Sequence, residues 1–114
     1  MAKLPNDISE TIWGLKRRLA DVIENARAAE FALFDRFGET ERTNVYLDDL
    51  QSVAEQATER FSQFSSLQIR ILNVQPHVPG DMLELVTQVI ANTEARLPAL
   101  EQSIQEIRTE WELL

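Results

Sequence analysis

Apolar residues return at alternating steps of four and three along almost the whole of this chain, and that rhythm decides what it can fold into. From about Asp7 to Phe37 they fall at Ile8, Ile12, Leu15, Leu19, Val22, Ala26, Ala29 and Leu33. Steps of this kind come back to one side of a helix at each turn, whereas a half-buried strand needs strict alternation. A second run, from about Asn44 to Asn73, keeps the rhythm with Tyr46, Leu50, Val53, Ala57, Phe64, Leu67, Ile71 and Val74. Its one fault is Arg60, and Phe61 beside it covers the gap. A third run begins at Asp81 and carries Val86, Ile90, Thr93, Leu97, Leu100, Ile104, Ile107, Trp111 and Leu114, with only Thr93 polar.

Two breaks separate the runs. In Gly38-Glu39-Thr40-Glu41-Arg42-Thr43 the glycine can take the left-handed conformation that ends a helix. Pro76-His77-Val78-Pro79-Gly80 cannot sit inside one. Asp7 with Glu10, and Asp81 with Glu84, have the spacing of capping boxes, and Asn44 is placed to cap the second helix. Each helix is then about 45 Å long at its rise of 1.5 Å per residue. Short connections make neighbours antiparallel. The fold expected is all-α: an antiparallel three-helix bundle of long helices, one domain over residues 1–114, with a left-handed supercoil where the heptads run unbroken. In that register Trp13 lies level with Leu67, Ile71 and Val86, while Phe37, Tyr46 and Trp111 meet at the opposite end.

Pro98 argues against a continuous third helix, because it lacks a backbone donor and clashes with the preceding turn. At about 100° per residue, however, it points away from the Leu97, Leu100 and Ile104 seam. One bent helix with proline on its outer face is the reading adopted; the alternative is a break there and a fourth helix starting at Pro98.

Composition narrows the chemistry. The net charge of −8 opposes binding to nucleic acid, whose phosphates an acidic surface repels. Lys16-Arg17-Arg18 is the one basic run, but on a helix it spreads over roughly 200°, so it reads as a solvated face in which the arginines can pair with Asp21. With no cysteine, thiolate metal sites and disulfides are excluded. A carboxylate-bridged metal pair needs Glu-x-x-His on two helices, and the single histidine, His77, follows Val74 at that spacing. Gly14, Gly38 and Gly80 are too scattered for a phosphate-cradling loop. Neither metal nor cofactor is expected. No apolar stretch is long enough to cross a membrane and MAKLPNDISE has no leader-like core, so a cytoplasmic location is expected.

The first helix carries more apolar surface than two neighbours need. Trp13, Ala20, Ile23, Phe31 and Phe34 flank its seam and widen the apolar arc to roughly 200°, against the ~100° stripe of an ordinary surface helix. Such a flank points to a non-enzymatic interaction or scaffold module. It would self-associate, most simply as a homodimer, or dock the helix of another protein.

A second reading starts from Arg70, which is followed after six residues by His77. With Asp81-Met82-Leu83-Glu84-Leu85-Val86 and Leu97-Pro98-Ala99-Leu100 behind it, the pair resembles the Arg-x(4–6)-His signature of HEPN domains. These all-helical modules include metal-independent ribonucleases of toxin–antitoxin systems. The resemblance implies an arginine that steadies phosphate charge and a histidine that moves a proton while a 2′-hydroxyl attacks, paired across a dimer interface. On that reading the partner would be RNA.

Overall fold

The computed structural model describes residues 5–74 and 77–113. Among them the chain forms three helices and no strand: α1 (Asn6–Phe37), α2 (Glu41–Leu72) and α3 (Gly80–Glu110). Each helix packs on both others, α1 and α2 most extensively, in a rod of 56 × 19 × 19 Å. Pro76 and Leu114, which the periodicity places in the second break and at the end of the third seam, lie outside the described residues.

The heptad seams are the core. Ile12, Leu15, Leu19, Val22, Ala26, Ala29 and Leu33 of α1 are buried against Leu50, Val53, Ala57, Phe64, Leu67 and Ile71 of α2. Val86, Thr93, Leu97, Leu100, Ile104, Ile107 and Trp111 complete it from α3. There the seam shifts by one residue near its start: Val89 is buried and Ile90 only partly so.

Helix starts depart from expectation in all three cases. α1 begins at Asn6 behind Pro5, and α3 at Gly80 behind Pro79, with neither N-terminus capped by a side chain. Both prolines are extended (φ −51° and −60°), so the chain turns helical immediately after them, one residue before Asp7 and Asp81 could act as caps. The Asp81 carboxylate instead accepts the neighbouring Met82 N–H at 2.9 Å. α2 starts at Glu41, ahead of the expected Asn44, because Thr40 is the cap. Thr40 Oγ1 accepts the Thr43 N–H at 3.0 Å, and Thr43 Oγ1 accepts the Thr40 N–H at 2.8 Å. The buried Thr43 hydroxyl also donates to the Gly38 carbonyl at 2.7 Å, which ties the cap to the end of α1. Gly38 ends α1 with φ 71°, a region a Cβ disfavours, although its ψ of −170° is extended instead of helical.

α3 runs unbroken through Pro98, which is exposed, and no fourth helix forms. At its end Glu112 takes φ 53°. The Leu113 N–H bonds the Arg108 carbonyl at 2.9 Å and the Glu112 N–H bonds that of Thr109 at 3.3 Å. This is a Schellman motif, with buried Leu113 folded back on the helix and glutamate where glycine is usual.

Candidate functional site

The predicted flank of α1 faces outward beside α2. Trp13 is 57% exposed, Phe31 71% and Phe34 52%; Ala20 is also exposed, while Ile23 packs partly buried against the core. These residues make two patches and not one stripe. At one end of the rod Trp13 stands with the exposed Ile69 and Leu72 of α2 over a groove that also includes Ile71. Toward the other end Phe31 and Phe34 flank a second groove with Leu47. Arg27 and Glu30, paired at 3.0 Å, line that groove and interrupt the apolar surface. Eighteen residues separate Trp13 from Phe31, about 27 Å along the helix.

Two residues of the Lys16-Arg17-Arg18 run stay solvated, as expected, and one does not. Arg17 is exposed, but Arg18 reaches across to Glu101 of α3 at 2.6 Å instead of pairing with Asp21. Lys16 is buried, with only 9% of its surface exposed. Its Nζ donates to Gln68 Oε1 at 2.8 Å and lies 4.7 Å from the ring centroid of Trp13 and 4.8 Å from that of Phe61. The aliphatic stem of a lysine covers apolar surface readily, which lets it occupy the seam's edge. The signal in the sequence was Trp13 three residues earlier on the same helix face, together with Phe61 on the neighbouring helix.

At the other end of the rod the expected aromatic cluster forms. Trp111 lies 4.9 Å from Phe37 and 5.4 Å from Tyr46, centroid to centroid, with the Arg42 guanidinium 4.7 Å from its ring. Tyr46 donates to Glu110 Oε1 at 3.0 Å. That hydrogen bond, then burial and the Glu110 charge, raises the phenol pKa above its ordinary value, while Arg42 pulls the other way. Arg36 ties the end of α1 to the Glu112 carbonyl at 2.8 Å.

Arg70 sits exposed in the last turn of α2 and His77 exposed in the connection to α3. Neither side chain makes a hydrogen bond or an ion pair among the described residues. No three of His, Cys, Asp and Glu come together there as a metal site would require. No helix among the described residues is long and apolar enough to cross a membrane. Protein-family models, curated proteins and solved structures all fail to give a match to this chain. The HEPN resemblance therefore stands on its sequence motif alone.

Proposed function

We propose that this chain is a helical association module without chemistry of its own, and that the outer face of α1 beside α2 is where a second copy binds. The observation that carries the reading is the exposure of three aromatic rings, Trp13, Phe31 and Phe34, each more than half open to solvent on one side of one helix. A large aromatic buries 150–250 Å² when covered, so these three offer roughly 350 Å² per chain. A standard interface takes about 800 Å² from each partner, so the rings would form its apolar centres and the groove edges its rim. Large aromatics carry most of the binding energy in such contacts. A net charge of −8 makes two copies repel, and added salt screens that repulsion. An apolar contact of this kind should therefore tighten as ionic strength rises.

Sedimentation equilibrium over a range of protein concentrations tests it. The expected result is a dimer that salt strengthens, and that Phe31→Glu or Trp13→Glu converts to monomer with helicity unchanged. A chain that stays monomeric throughout refutes the second copy as occupant and leaves the face to the helix of another protein. Loss of helicity in both variants would refute the assignment of these rings to an interface.

A further inference from the structure

Lys16 is the one lysine or arginine among the described residues that the fold buries, and none of those residues gives it a counter-ion. With 19 acidic residues in the chain, carboxylates were plentiful, yet no Asp or Glu among the described residues pairs with it. Its neighbours are an amide oxygen and two aromatic rings, all of which favour a cation without neutralising it. An ammonium has three donors, and Gln68 takes one; no other acceptor among the described residues meets the remaining two. Burying a charge in this way is unfavourable unless something completes the pair.

Lys16 lines a half-open groove of about 440 Å³, within the range of small-molecule sites. Its lining joins buried Lys16 and half-buried Gln68 and Ser65 to the exposed apolar side chains of Trp13, Ile69 and Leu72. We propose that this groove binds a small amphipathic carboxylate. The head group meets the Lys16 ammonium, supplying the missing negative charge and accepting its free N–H donors. The apolar body lies along Trp13, Ile69 and Leu72 and covers surface that is otherwise left in water. An apolar groove lined by a cation without a carboxylate partner selects an anion with a hydrocarbon body over either a neutral lipid or a hydrophilic anion.

This reading does not rest on self-association, although Trp13 serves both. The titration below is therefore repeated in the Phe31→Glu background, which removes the second aromatic patch and leaves the groove intact. Decanoate is titrated into the whole chain at neutral pH and low salt, with decanol as the uncharged control, by calorimetry and by amide and indole chemical shifts. The expected result is saturable one-to-one binding, with shifts at the Trp13 indole and the Gln68 side-chain amide. Decanoate should bind at least about tenfold more tightly than decanol, the worth of one charge-assisted hydrogen bond. Lys16→Met keeps the packing stem and should bring decanoate down to the level of decanol. Gln68→Glu sets a carboxylate beside the ammonium and should abolish the preference independently, so the test survives if the first variant folds poorly. Equal binding of decanoate and decanol, an undiminished preference in the variants, no saturable binding, or shifts confined to other parts of the rod would each overturn the proposal.

Discussion

Replacing Thr93 by valine should stabilise this protein. Thr93 is wholly buried in the α3 seam, between Val89 and Leu97, and its hydroxyl has no hydrogen-bond partner among the described residues. The contrast with other hydroxyls of the same helices is informative. Thr11, Thr58, Thr87 and Ser103 each donate to the carbonyl four residues back, at 2.8–3.0 Å. Thr93 does not, so its hydroxyl has given up water for nothing. A buried, unsatisfied polar group costs about 1–3 kcal/mol, and valine has nearly the same shape and helix propensity as threonine. The exchange therefore adds apolar contact without overpacking, and a net gain of about 1–2 kcal/mol is expected. For a chain of this size that corresponds to a rise in Tm of roughly 4–8 °C.

Urea unfolding followed by circular dichroism measures the effect as a higher midpoint at unchanged slope. Thr93→Ser is the matched control: it keeps the hydroxyl and deletes the methyl, and should cost about 1 kcal/mol. If Thr93→Val lowers the midpoint instead, the hydroxyl has a partner, the Val89 carbonyl or an enclosed water being the nearest candidates. The account of Thr93 as an unsatisfied hydroxyl in the α3 seam would then be wrong.

Two further outcomes follow from the end of the rod that holds Trp111. Glu112→Gly relieves a non-glycine residue of its left-handed conformation in the Schellman motif, and should raise stability by about 1 kcal/mol in the same urea assay, the Arg36 bond to that carbonyl being unaffected; no gain would mean the turn carries no strain. Tyr46, the single tyrosine, should titrate by phenolate absorbance above the ordinary value of about 10. Because its folded pKa is raised, the stability it contributes is present below about pH 10 and is lost as pH climbs through the higher folded value. Glu110→Gln should bring the midpoint back down, and a midpoint that does not move would refute the hydrogen bond to Glu110 as the cause.

The seams and the exposed rings of α1 were legible in this sequence and the grooves between helices were not, for one physical reason. A seam such as Ile12, Leu15, Leu19 and Val22 is dictated by a single helix, since every member must leave water whichever neighbours arrive. The cluster of Phe37, Tyr46 and Trp111 followed from the seams and the short connections together. Helix starts failed because capping signals compete locally. Asp7 and Asp81 carried the expected acidic pattern, but Pro5 and Pro79 had already set the backbone. At α2 a threonine pair capped the helix from Thr40, four residues before Asn44 could. The grooves that carry the association and ligand proposals were out of reach because α1 and α2 each supply only half of them. Ile69 and Leu72 lay in the right helix with nothing in their own spacing to join them to Trp13.

Lys16 and Glu30 show how completely the partner decides. They are fourteen residues apart on α1, two heptads, and so share one position at the edge of the seam. Both are charged, and from α1 alone both read as rim residues held in water. Opposite Lys16, α2 presents Phe61 and Gln68, and the ammonium is drawn between an amide and two rings with no carboxylate partner among the described residues. Glu30 turns instead to Arg27 on its own helix, and its charge is cancelled within one turn. The same register position therefore ends as an unneutralised cation at one groove and a closed ion pair at the other. The two ends of the α1 face are consequently suited to different occupants: the Phe31 and Phe34 end sets two exposed rings among polar side chains whose Arg27–Glu30 ion pair is already closed. The Trp13 end keeps a cation with no carboxylate partner among the described residues, which suits it to an anion.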